Sequence, residues 1–228
     1  MAIEILKPEW GAKRPIRGIL FDMDGLVVDT EKLYSRFWIE ACRFYGFPMT
    51  RDQALKMRAA NARLSEENLH SFFGPTVDYN KCRAKRIELM DAFIEENGVE
   101  TKPGIFELLD TLDAKGIPAA ITSSAPKERI EKHLASVNLK HRFAAICSGH
   151  EVPRGKPAPD IYLHGAACLG LPAESCLALE DAPTGILAAH RAGCVTVMVP
   201  DMDQPDEKTK KLLHAKVDWL MDVIGLLE

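Results

Sequence analysis

Asp22 and Asp24, one residue apart and followed at once by Gly25, are the side chains of this sequence best placed to do chemistry. They close a short apolar run, Gly-Ile-Leu-Phe at 18–21. An apolar run bounded by turn residues reads as a buried strand, so the two acids stand at its carboxyl end. In an open parallel α/β sheet that edge is where ligands bind. Gly25 turns the backbone there, letting the second carboxylate approach the same point from another direction. Such a pair suits a metal ion, or a nucleophile working beside a proton donor. Three more segments follow strand-like runs: Thr122-Ser123-Ser124, the Gly-Lys-Pro-Ala-Pro-Asp run at 155–160 that carries Lys156, and Glu180-Asp181. If the strands are parallel, all four segments gather at one edge. Two acidic pairs, hydroxyls and a lysine then make a site for a phosphoryl group and a divalent cation.

The elements that must position these residues follow from periodicity. Strands are expected at 18–22, 118–122, 143–147, 176–180 and 195–199. The last four alternate with helical patterns at 107–115, 127–136, 161–169 and 184–192, as parallel strands joined by crossover helices require. Gly116 and Gly193 are placed to stop two of these helices, and Thr184 to cap one. A last helix is expected at 208–214, with an amphipathic tail at 219–227. Between the first two strands the pattern changes. Residues 31–100 read as helices at 32–45, 51–57, 65–73 and 81–96 with no strand, where a simple crossover needs one helix. The excess makes a small helical domain inserted after the first strand. Its basic residues, including Lys56, Arg58, Arg63, Lys81, Arg83, Lys85 and Arg86, read as a solvated helix surface.

Composition narrows the class. A net charge of −4 offers no concentrated basic face, so nucleic acid is not an expected partner. No apolar stretch approaches the roughly 20 residues that cross a bilayer, and no secretory signal pattern opens the chain. The six cysteines are scattered without a CxxC pair, which argues against zinc and against a disulfide framework. The seven histidines show no ligand spacing and are expected at the surface or in packing. A reduced, cytoplasmic protein is the expectation.

Taken together the segments resemble the haloacid dehalogenase superfamily, in the branch with an α-helical cap inserted after the first strand. The carrying motifs are Asp-Met-Asp-Gly-Leu-Val-Val-Asp-Thr at 22–30, Thr122-Ser123-Ser124, the run at 155–160, and Glu-Asp-Ala-Pro-Thr-Gly at 180–185. Within that branch the chain is similar to phosphatases and phosphomutases of small sugar and nucleoside phosphates. Glu-Asp-Ala-Pro at 180–183 and Val-Met-Val-Pro-Asp at 197–201 bring it nearest to pseudouridine-5′-phosphatase-like proteins. The resemblance implies a Rossmann-like parallel-sheet core at 15–30 and 101–228, an inserted helical cap at 31–100 and an N-terminal extension at 1–14.

The resemblance also implies roles. Asp22 would attack phosphorus and form an aspartyl-phosphate, dividing one displacement into two easier ones. Asp24 would give a proton to the leaving oxygen and later take one from water. Mg²⁺ would be held by Asp22, the backbone carbonyl of Asp24, and Asp181, with Glu180 in or beside the shell. Thr122, with the backbone N–H groups after it and Ser123 and Ser124, would hold phosphoryl oxygens, and Lys156 would screen charge. Lys56, Arg58 and Asn61, in the cap, are candidates for contact with the substrate. Asp24 argues against carbon–halogen chemistry, because dehalogenases of the superfamily lack the second aspartate. The competing activity is that of a β-phosphoglucomutase-like phosphomutase. Tyr34 argues against it, standing where those relatives carry a histidine. The implied partner is a small phosphorylated metabolite, and a monomer is expected.

Overall fold

The computed structural model describes residues 3–7, 15–58, 62–201 and 204–227, with residues 58 and 62 described by their backbone alone. The described chain forms two compact units, Met1–Val28 with Glu100–Glu228, and Asp29–Val99.

The first unit is built on a sheet of seven strands among the described residues: β1 (Ile3–Ile5), β2 (Gly18–Phe21), β3 (Ala119–Ser123), β4 (Ala145–Ser148), β5 (Cys176–Glu180), β6 (Val195–Met198) and β7 (Ala215–Val217). Their order across the sheet is β1-β7-β6-β5-β2-β3-β4. All pairs are parallel except β1 with β7. This is the Rossmann-like α/β architecture expected. β2 lies between β3 and β5, and Phe21 stands opposite both Ile121 and Leu179. The chain moves out from β2 in one direction to β3 and β4, then returns to β5 on its other side. That reversal is the topological switch point where ligands bind at strand carboxyl ends.

Helices α5 (Ile105–Lys115), α6 (Lys127–Ser136), α7 (Asp160–Cys168) and α8 (Pro183–Ala192) supply the crossovers. The residues of β2, Gly18–Phe21, are buried throughout, as a central parallel strand covered on both faces must be. Ile161, Tyr162 and Ala166 of α7 and Ala188 and Ala189 of α8 share a core with Leu20, Ala120 and Ala178. α5 and α8 end at Gly116 and Gly193, both left-handed with φ of 65° and 84°. The start of α8 differs from the expectation: Ala182 is the cap residue and Pro183 opens the helix, so Thr184 lies inside the first turn.

Two short strands escape the sequence reading. Residues 3–5, assigned to an extension, pair antiparallel with β7 at the sheet edge. Residues 208–214, expected as a helix, are helical only over α9 (Glu207–Lys210), and the chain then enters β7. The expected tail is the 3₁₀ segment Leu220–Leu226.

The second unit comprises α1 (Glu31–Phe44), α2 (Arg51–Arg58), α3 (Ala62–Phe73) and α4 (Tyr79–Asn97). Its core holds Trp38, Met57, Leu69 and Tyr79, with the Trp38 and Tyr79 rings stacked at 6.1 Å. Arg86 corrects the expectation of a solvated basic surface. It is buried, with its guanidinium 4.0 Å from the Tyr34 ring centre and 5.6 Å from that of Trp38. Aromatic faces replace water around that cation.

Candidate active site

Three neighbouring strand ends deliver the site. β2 hands over to Asp22, β3 ends in Thr122 and Ser123, and β5 ends in Glu180. Asp22 keeps its place in the sheet through a bond from its N–H to the Leu179 carbonyl, 3.0 Å. Beyond it the chain turns tightly, with the N–H groups of Leu26, Val27 and Val28 all donating to the Met23 carbonyl. Val28 then bridges antiparallel to Thr101.

Lys156 joins the two acidic strand ends. Its Nζ donates to Asp22 Oδ1 at 2.5 Å and to Glu180 Oε1 at 2.6 Å. All three side chains are nearly withdrawn from water. The turn that carries Lys156 is held on two sides. Arg154 forks onto Asp160 with contacts of 2.9 and 3.2 Å, and Arg191 of α8 donates to the Pro157 carbonyl at 2.9 Å. One carboxylate oxygen from each of Asp22, Glu180 and Asp181 lies within 4.8 Å of the other two.

The electrostatics are those of a site short of positive charge. Burial, set against the neighbouring Lys156 and reinforced by Glu180 and Asp24, pushes the Asp22 carboxyl up to about 7. Burial works against the Lys156 ammonium, yet Asp22 and Glu180 hold it well above the usual lysine value. Asp22 and Glu180 share that one lysine, which leaves an excess negative charge before Asp181 is counted. Clustered hard oxygen donors with excess negative charge fit a hard divalent cation. Asp22, Glu180 and Asp181 are the carboxylates placed for it, and Asp24 adds no carboxylate to that cluster.

Two expected roles shift in position. Thr122 is fully buried and its hydroxyl donates to the Phe21 carbonyl at 3.1 Å, so its proton is committed to fastening β3 onto β2. Ser123, whose hydroxyl accepts a hydrogen bond and so keeps its proton to donate, and the exposed Ser124 with the loop around it remain for an anion. That loop is anchored: Ser123 Oγ accepts from the Ala125 N–H at 3.1 Å, and Ser148 Oγ donates to the Ala125 carbonyl at 2.6 Å. Glu180 is more than a metal candidate, because its Oε1 takes both Lys156 and the Tyr162 hydroxyl. Lys56 is exposed on α2; the Arg58 side chain and all of Asn61 lie outside the described residues.

The sequence reading passed over Tyr162 and Gly185. Tyr162 is fully buried on α7, and burial followed by Glu180 keeps its hydroxyl well above the usual tyrosine value, so it remains a donor. Gly185 sits in the first turn of α8 with the Glu180 carboxylate where a side chain would be. A Cβ there would lie 1.7 Å from Oε1 and 1.9 Å from the carboxylate carbon. Only the Gly at the end of the 180–185 motif signalled this in the sequence.

Strand ends carrying a buried carboxylate, a bridging lysine and an acidic pair meet at a Rossmann-like switch point. The chain belongs to the haloacid dehalogenase-like hydrolase family, which it matches over residues 19–199. Among curated relatives it is 32% identical to hexitol phosphatase A of Escherichia coli over 185 residues, 80% of this chain and 82% of that one. A Drosophila melanogaster protein named as a probable pseudouridine-5′-phosphatase is 30% identical over 224 residues, 93% of this chain and 95% of that one. A solved haloacid dehalogenase family hydrolase from Deinococcus radiodurans, with bound phosphate and sodium, superposes with a TM-score of 0.75 at 26% identity, covering 94% and 99% of the two chains. Among the described residues no helix is long and apolar enough to cross a membrane.

Proposed function

We propose that this chain is a Mg²⁺-dependent phosphatase of small phosphate monoesters, working through an aspartyl-phosphate on Asp22. The observation that carries the reading is Lys156 bridging Asp22 and Glu180 beside Asp181. Lys156 holds Oδ1, which leaves Oδ2 as the attacking oxygen. That oxygen bonds to phosphorus as the ester P–O bond breaks, and Asp24 gives the departing oxygen its proton. Water then attacks the aspartyl-phosphate, Asp24 takes the water's proton, and Asp22 is restored with release of inorganic phosphate. The attack needs Asp22 ionised; burial pushes its carboxyl up to about 7, and a cation beside it would draw it back toward the ionised form. Mg²⁺, held by Asp22, Asp181 and the Asp24 carbonyl with Glu180 alongside, would offset the repulsion between carboxylate and phosphate. Lys156 and the N–H groups of the Ser124 loop would steady the phosphoryl oxygens.

The substrate class is a sugar phosphate or a nucleoside 5′-phosphate, after the activities that name the hexitol and pseudouridine relatives. Lys56, Arg58 and Asn61 are proposed to contact the leaving group. A monomeric enzyme in a reducing, cytoplasmic setting completes the reading. Phosphate release from a panel of phosphate esters with Mg²⁺, beside Asp22→Asn, is the test. Release by the wild type and none by the variant is expected; equal release by both, or none from any ester, would overturn the reading. Isomerisation of a sugar phosphate outpacing hydrolysis would instead favour the phosphomutase alternative.

A further inference from the structure

A second cluster of ligand-type side chains lies in the sheet unit, built from residues that the proposed reaction does not use. Cys147 is in β4, and His164 and Cys168 are one turn apart on α7. One ligand atom from each, two Sγ and a ring nitrogen, fall within 4.8 Å of one another. His164 Nε2 and Cys168 Sγ are 3.8 Å apart. Tetrahedral zinc, with Zn–S near 2.3 Å and Zn–N near 2.0–2.1 Å, sets its ligand atoms about 3.5–3.8 Å from each other. Small side-chain rotations would bring the three into that range.

We infer that Cys147, His164 and Cys168 form a binding site for one thiophilic divalent cation of the Zn²⁺ type, with its fourth position open to solvent. Two sulfurs and an imidazole select such an ion over Mg²⁺, which takes hard oxygen ligands. The burial gradient suits entry from one side: Cys147 is buried, His164 is half-buried and Cys168 is exposed. Glu151 supplies no fourth ligand, since its Oε1 is paired with Lys127 at 3.0 Å and its Oε2 with the Ser148 N–H at 2.8 Å. Loading releases the thiol protons to solvent, so binding strengthens as pH rises. An ion here would join α7, whose Tyr162 holds Glu180, to β4, whose Ser148 anchors the Ser124 loop. Both supports of the proposed reaction centre would be clamped together.

Cobalt titration of the full-length, freshly reduced and chelator-treated protein tests this. One equivalent of Co²⁺ is expected to produce sulfur-to-cobalt charge-transfer absorption with intense tetrahedral ligand-field bands, bleached by Zn²⁺. Oxygen ligation at the Asp22 cluster yields no sulfur band, so Asp181→Asn is expected to leave the signal intact. Cys168→Ser, at an exposed position, and His164→Gln should each weaken Co²⁺ binding at least about tenfold, while phosphate release with Mg²⁺ stays unchanged. Absence of any sulfur-to-cobalt band in the wild type overturns the inference, and so does a band of equal strength in both variants.

Discussion

Lys156 stands between two buried carboxylates, and each partner's removal has an opposite electrostatic consequence. Lys156→Met leaves Asp22 and Glu180 facing each other without their cation, which is the costly way to break a buried ion pair. About 3–5 kcal/mol of stability should be lost at neutral pH, read from denaturant melts, together with phosphate release. Asp22→Asn leaves Lys156 and Glu180 as a neutral pair, so folding should survive while turnover does not. The wild-type carboxyl also imposes a pH dependence. Its folded value, about 7, lies above its ordinary 3.8, so the native state binds the proton more tightly across that interval. Stability owed to Asp22 is therefore present at low pH and is lost as pH rises through the window. In cation-free buffer the melting temperature of Asp22→Asn relative to wild type should climb between pH 5 and about 7.5. A flat difference would contradict the buried, excess-charge description of the site.

Among elements, α8 reaches the sheet edge only because its first turn has no side chain at position 185. In Gly185→Ala the new methyl group occupies the Glu180 carboxylate's space, and that carboxylate is buried with two donors on one oxygen. The expected result is a loss of about 1–3 kcal/mol in stability from overpacking and a kcat lowered at least about 10²-fold, as misplaced catalytic groups cause. Kinetics with a generic phosphate ester and a denaturant melt would measure both. The element scale also shows what the sequence disclosed. β2, β3 and β5 were legible because each is a short apolar run ending in polar residues, and their contiguous motifs displayed Asp22, Lys156 and Glu180-Asp181 directly. β1 and β7 were not legible, since three residues carry too little periodicity to outweigh a neighbouring helical pattern. Thr122 misled because its partner is a backbone carbonyl 101 positions away, on a strand that only folding brings alongside. Cys147 and the His164–Cys168 pair are separated by a loop and a helix turn, so linear spacing hid them as well.

At the scale of the whole molecule, the three clustered carboxylates proposed to hold Mg²⁺, Asp22, Glu180 and Asp181, belong to the unit made of Met1–Val28 and Glu100–Glu228. Stabilisation by Mg²⁺ should accordingly be unequal. At a concentration 100 times the dissociation constant, about 2.7 kcal/mol of ligand stabilisation is expected, which chelation removes. Hydrogen exchange read by mass spectrometry should show added protection in β2, β3 and β5, with α1 to α4 little changed. Protection spread evenly over both units would count against this assignment of the cation.

The pairing of Val28 with Thr101, reinforced by the Lys102 N–H on the Val27 carbonyl at 3.0 Å, brings together the points where the chain departs from the sheet unit and comes back. The segment Asp29–Val99 is thus entered and left at neighbouring points of the chain. A lineage could exchange it for another insert while the strand register behind Asp22 stayed untouched, which separates the inheritance of a reaction from the evolution of its tastes.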